Sequence, residues 1–296
     1  MTESPIWRHA RGVLAIDRPI VVGILNVTPD SFSDGGQLST VEQALERARE
    51  MVAEGADVLD VGGESTRPQS ASAVSQEEEL RRVIPVIQAL ARDLPNTPIS
   101  VDTIKSVVAE RALGAGAAIV NDVSAFRLDA RMAAVCAAAG AGVVLMHSRG
   151  GVSDMATYAH AVYDSVVDDV VNELGARIEA ARAAGVSSES LVVDPGIGFS
   201  KRSEQSLAMI AGLSHVVALG YPVLVGASRK RFIGELTGES VPAARLIGTV
   251  AVHVAALERG ARLFRVHDVG ANRQALDVVW AVMNAAPVTA AMDGGA

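Results

Sequence analysis

Eight short apolar runs alternate with helical patterns along this chain, and that alternation constrains its fold more than any other feature. The runs are "VVGILNV", "ADVLDVG", "PISVDT", "AIVNDVS", "GVVLMHS", "SLVVDPG", "PVLVGAS" and "RLFRVHD". Their apolar residues are consecutive rather than alternating, so both faces of each strand need cover. A parallel sheet flanked by helices provides it. Between the runs lie segments with helical spacing: 40–54, "EEELRRVIPVIQALARDL", 105–115, 129–139, 162–184, 203–218, 242–259 and 270–285. Eight strand–helix units in 296 residues predict a closed (β/α)8 TIM barrel, an α/β fold of eight parallel strands inside a ring of helices. A doubly wound open sheet is the alternative.

Local signals refine this outline. Thr40 and Gln43 have capping-box spacing ahead of Gly55, and Ser75 with Glu78 repeats the pattern. Pro85 falls within the second helical segment and predicts a kink or a broken first turn. No Pro/Gly/Ser linker divides the chain, so residues 1–296 read as one domain, with a leader at 1–19 and a frayed tail at 286–296.

Composition excludes several functions. The net charge is −8 with no Lys/Arg block, which argues against nucleic acid and acidic membranes as partners. Aromatic residues make up only 3%, so the core must be built from small and branched aliphatics. Cys136, the single cysteine, reads as a small core residue and rules out a disulfide within the chain. The N-terminal "MTESPIWRHARG" lacks the apolar stretch of a signal peptide, and no run is long enough to span a bilayer, so a cytoplasmic protein is expected. "GIGFSK" lacks the third glycine of a dinucleotide fingerprint, and there is no P-loop. Ser228 in "GASRK" does not fit a nucleophile elbow. His9, His160, His215 and His253 lack paired metal-ligand spacing.

The polar ends of the strands point to a site. They read Asn26, Asp60, Asp102, Asn121, His147, Asp194, Ser228 and His267. Helix capping explains a single such residue, but Asp102, Asn121 and Asp194 stand directly on apolar strands, where an unpaired carboxylate is costly. In a barrel, the C-terminal strand ends surround the active face. Arg265 and His267 are two apart and enter the mouth together, whereas Met146 and His147 must diverge, as must Asn121 and Asp122. Carboxylates, an amide and the cations Lys230 and Arg265 suit a flat polar heterocycle carrying an anionic group. The long loops "PDSFSDGGQLS" and "GGESTRPQSASAV" read as lids, and "GASRKRF" sets basic residues at a helix start where anions are favoured.

The segments "GILNVTPDSFSDGG", "DVGGESTRP", "SVDT", "VNDVS", "VVDPGIGF", "GASRKRF" and "RVHDV" occur in the order and spacing of the dihydropteroate synthases, which this chain resembles from about residue 20 to residue 285. The resemblance implies a (β/α)8 barrel that joins 6-hydroxymethyl-7,8-dihydropterin pyrophosphate to 4-aminobenzoate, giving 7,8-dihydropteroate and pyrophosphate. It also implies Mg2+ and a homodimer. On this basis Asp102, Asn121, Asp194 and Lys230 would bind the pterin edge, and Arg265 would stack on its face and reach the pyrophosphate. Met146 and Phe199 would be apolar walls, with His147 turned away. Asn26 would be the magnesium ligand and His267 a pyrophosphate contact. Phe32 and Asp34 of the first lid, with Ser65, Thr66, Arg67 and Pro68 of the second, would help to enclose the aminobenzoate. Arg231 stands where some members carry a small hydroxyl for the aminobenzoate carboxylate.

Two other functions compete. A pterin-binding module without synthase activity would not need the anion-binding "SRK" and "RVHDV" segments. A sugar-phosphate isomerase would need a general base such as Glu64, which reads instead as an ion-pair partner, for example of Arg67.

Overall fold

The computed structural model describes residues 5–27, 37–64 and 74–285. The expected leader is a folded element: strands β1 (Ile6–His9) and β2 (Gly12–Ala15) form an antiparallel hairpin. Its Trp7 is 1% exposed and donates from Nε1 to the Ser190 carbonyl at 2.9 Å. Trp7 packs with Ile16, Ile20, Val58, Ile119, Val192 and Leu263, so the hairpin closes the floor of the sheet that follows.

That sheet contains β3 (Ile20–Asn26), β4 (Val58–Gly62), β5 (Ile99–Asp102), β6 (Ile119–Asp122), β7 (Gly142–Met146), β8 (Leu191–Asp194), β9 (Leu224–Val225) and β10 (Leu263–Val266). All neighbours pair in parallel, in the order β8-β7-β6-β5-β4-β3-β10-β9. A parallel bridge between Val193 and Val223 joins the two ends of this order and closes the ring. The protein is therefore a (β/α)8 barrel, and the open-sheet alternative falls.

Period-two alternation sorts side chains across the wall. On β6, Ile119 faces the interior cluster while Val120 faces the outer helices; on β8, Val192 and Val193 divide the same way. The outer layer comprises α1 (Gln37–Ala53), α2 (Gln76–Asp93), α3 (Ser106–Ala115), α4 (Met132–Ala139), α5 (Val166–Ala183), α6 (Ser203–Ala211), α7 (Leu213–Val217), α8 (Arg231–Thr237), α9 (Leu246–Glu258) and α10 (Val269–Met283).

Several helix boundaries differ from expectation. Helix α1 starts at Gln37, which places Thr40 inside it and not at the cap. Ser75 does cap α2, accepting from the Glu78 N–H at 3.2 Å. Pro85 breaks nothing, because α2 runs through it as one helix. The lost backbone bond costs about 3 kcal/mol. Burial of Val83, Val86, Ile87 and Leu90, at roughly 1.5–3 kcal/mol each, outweighs it. The segment 203–218 splits at Gly212, where a Cβ would lie 2.8 Å from Val167. Cys136 is buried in α4, as expected. The tail 286–296 lies outside the described residues.

Candidate active site

The alternation that fills the floor with aliphatics fills the mouth with polar groups. Asp60 follows Val58 on the inner face of β4, Asn121 follows Ile119, Asp194 follows Val192 and Arg265 follows Leu263, each by two residues. The same parity turns Met146 inward, where it packs with Val123, Met155, Ile104 and Phe199. The neighbours Asp122 and His147 turn out of the cup. Asp122 accepts from the Ser124 N–H, the Ser124 hydroxyl and the Phe126 N–H, and so shapes the loop after β6.

Arg265 organises one side of the cup. Its Nε donates to Asp60 Oδ2 at 2.6 Å and its Nη2 to Asp102 Oδ2 at 2.7 Å. Asn121 Nδ2 also donates to Asp60 Oδ2, at 3.1 Å. Burial works against the Arg265 charge, but Asp60 and Asp102 outweigh it and hold its pKa above the ordinary value. Asp102 behaves oppositely: burial raises its carboxyl to about 7, with the Asp60 charge adding to the rise against the pull of Arg265. One guanidinium thus serves two carboxylates, and its pull on Asp102 does not overcome the effect of burial. Asp60 Oδ1 is buried and has no hydrogen-bond partner among the described residues.

Asp194 and Lys230 form the other side. Asp194 Oδ1 accepts from the Gly196 N–H at 2.7 Å, and burial raises its pKa. Lys230 Nζ donates to the Ile197 carbonyl at 2.6 Å and lies 3.9 Å from the centre of the Phe199 ring. Burial lowers the Lys230 ammonium to about 7, although Asp194 opposes the fall. Two glycines make this turn possible. Gly196 has φ +68°, and a Cβ there would lie 1.9 Å from the His147 carbonyl oxygen. At Gly198, φ is +76° and a Cβ would press on the Lys230 side chain at 3.0 Å.

The rim holds the remaining candidates. Asn26 ends β3 beside Gly62, where a Cβ would lie 3.6 Å from Asn26 Oδ1 and 3.8 Å from Asp102 Oδ2. His267 Nδ1 and Ser228 Oγ are joined at 2.9 Å, and the His267 N–H donates to the same oxygen at 3.2 Å. Arg231 stacks on Tyr158, its guanidinium carbon 3.9 Å from the ring centre, and pairs with Glu235 at 3.7 Å. Glu64 pairs with Lys105 at 2.7 Å and accepts from the Val74 N–H at 3.1 Å. Lys105, 41 positions further along, is a partner of Glu64 that sequence reading did not single out, and the expected partner Arg67 lies outside the described residues. Phe32, Asp34, Ser65, Thr66, Arg67 and Pro68 lie outside the described residues.

Two contributors carried little local signal. Asp60 reads in sequence as one polar strand end among eight, yet it anchors both Arg265 and Asn121. Lys201 follows the turn without any periodic cue and is 1% exposed. His147 lies against it, and burial lowers that imidazole to about 4.

A barrel whose strand ends unite carboxylates, an amide and cations in one buried cup has the architecture of an enzyme that binds a polar heterocycle. Comparison with known proteins narrows the class. The family described as pterin binding enzyme matches residues 22–267. A dihydropteroate synthase of Synechocystis is 43% identical over 266 residues, covering 89% of this chain and 91% of that protein. The Bacillus subtilis dihydropteroate synthase is 43% identical over 253 residues, covering 86% and 85%. Among solved structures, a Xanthomonas albilineans dihydropteroate synthase with 4-aminobenzoic acid superposes with a TM-score of 0.87 at 48% identity, covering 96% of this chain and 100% of that one. Another from the same organism, in complex with 7,8-dihydropteroate, gives 0.83 at 45% identity, covering 94% and 100%. The chain belongs to the pterin-binding enzyme family, among its dihydropteroate synthases.

Proposed function

We propose that this protein condenses 6-hydroxymethyl-7,8-dihydropterin pyrophosphate with 4-aminobenzoate, releasing pyrophosphate and forming 7,8-dihydropteroate. The observation that carries the reading is the joint presence of Asp102, Asn121, Asp194, Lys230 and Arg265 in one cup, with Arg265 bridging two carboxylates. Asp102 and Asp194 accept from the amino-pyrimidinone edge, Asn121 and Lys230 complete that edge, and Arg265 covers the ring face. Met146 and Phe199 supply apolar walls.

An arylamine is already unprotonated at neutral pH, so the amine needs no strong base. The barrier lies in breaking the bond to pyrophosphate. Arg265 and His267 stand at the rim to stabilise charge on the departing oxygens. The electron-rich dihydropterin carries the cation left on its methylene carbon, and the carboxylates beside the ring favour that charge. The amine nitrogen then forms the new C–N bond and loses a proton. The two lid loops, together with Arg231, would hold the aminobenzoate and keep water from the cation.

Mg2+ fits the donors present. It retains several waters and binds through few protein oxygens together with substrate phosphates. Asn26 offers one such oxygen at the mouth, next to a glycine that leaves the space open. Bound there, the ion would neutralise charge on the pyrophosphate. A homodimer is proposed as well, supported by the exposed apolar residues Ile247 on α9 and Val278 and Val282 on α10. A cytoplasmic location completes the reading, and cell fractionation tests it.

Incubation with both substrates and Mg2+, with pyrophosphate and dihydropteroate measured together, tests the activity. Equal release of the two products is expected. Tight pterin binding without turnover would favour a binding module instead.

A further inference from the structure

Lys201 is the most deeply buried cation outside the substrate-facing set. Its ammonium donates to the Gly196 carbonyl at 3.2 Å, the Phe199 carbonyl at 3.2 Å and His147 Nδ1 at 2.9 Å, which uses all three hydrogens. Accepting at Nδ1 leaves His147 with its proton on Nε2, which donates to Glu173 Oε2 at 3.0 Å. Glu173 is in turn paired with Arg149. Among the described residues no carboxylate touches the ammonium directly, and burial lowers its pKa to about 7, so the fold keeps this group at a cost.

It holds the turn after β8. Lys201 grips the carbonyls of Gly196 and Phe199, while Lys230 grips that of Ile197 between them. The two lysines are not equivalent. Lys230 lies against Phe199 within the cup and spends one of its three N–H groups on the Ile197 carbonyl, so the others face the substrate. Lys201, which faces away from the substrate, is committed to the turn alone. The shape of the turn matters because the Gly196 N–H orients Asp194 and the Phe199 ring forms a wall.

We propose that Lys201 is a positioning residue for the pterin end of the site, holding the turn 194–199 in place while Lys230 serves the substrate. This rests on the synthase reading above. The test is Lys201→Met, with KM measured separately for dihydropterin pyrophosphate and for 4-aminobenzoate, beside thermal melting. Hydrogen bonds from charged donors support a rise of about tenfold or more in the pterin KM. The aminobenzoate KM is expected to stay within about twofold.

A fall in melting temperature with both KM values unchanged, or with both raised alike, would overturn the proposal and leave Lys201 a structural staple. If Lys201→Met does not fold, His147→Gln weakens one of the three contacts and must raise the pterin KM selectively, by a smaller factor. Wild-type protein with no dihydropteroate synthesis would instead refute the assigned reaction, which the parallel wild-type assay separates from failure of the positioning role.

Discussion

Asp60→Asn removes one of the two negative charges that share Arg265 while keeping the side chain's shape. Two consequences follow from the geometry. The 2.6 Å bond from Arg265 Nε changes from a charge-assisted contact to one with a neutral amide oxygen. That change costs roughly 1–1.5 kcal/mol. If Asp60 holds Arg265 over the pterin face, affinity at pH 8 falls by about tenfold, since 1.4 kcal/mol corresponds to one decade. The second consequence concerns Asp102, whose carboxyl burial and the Asp60 charge together raise to about 7. If Asp102 accepts from pterin N–H groups as proposed, it must be ionised, and wild-type affinity is then expected to decline as pH drops through about 7. Removing the Asp60 charge takes away one raising influence and leaves Arg265 more fully to Asp102. Both effects lower the Asp102 pKa, so the acid limb of the binding profile moves to lower pH. Titration calorimetry with a pterin ligand between pH 5 and 9 reads both effects. An acid limb that stays in place or moves upward would refute the idea that these carboxylates compete for one guanidinium.

Two further outcomes concern stability. His253 is buried, with Nδ1 on Asn272 at 2.7 Å and Nε2 accepting from the Ala227 N–H at 3.3 Å, and burial lowers its pKa to about 4. Its folded-state pKa is depressed, so the unfolded chain takes up the proton first as pH falls, and wild-type protein loses about 1.4 kcal/mol per pH unit from this group between about 6.5 and 4. His253→Gln cannot lose it, so urea unfolding should show the stability gap between the two proteins narrowing across that window; a constant gap would count against a neutral buried imidazole. Trp7→Ala empties the barrel floor and should destabilise by about 3–5 kcal/mol in urea unfolding. Catalysis below the melting transition should be unchanged, and a specific loss of kcat would mean that the hairpin reaches the site.

Sequence alone determined the barrel and several strand-borne members of its cup, because both rest on local periodicity. Consecutive apolar runs demand cover on two faces, and a polar residue two positions beyond an inward aliphatic must also point inward, as Asp194 does beyond Val192 and Arg265 beyond Leu263. The folding of the leader into a floor was not legible, since Trp7 finds its partner at Ser190, 183 positions away. Nor were the alliances within the cup. Arg265 meets Asp60 across 205 positions, and Lys201 reaches His147 across 54. Pairing of that kind depends on which strands become neighbours when the ring closes, and on which charges burial leaves without water. Only the tertiary structure decides those two conditions.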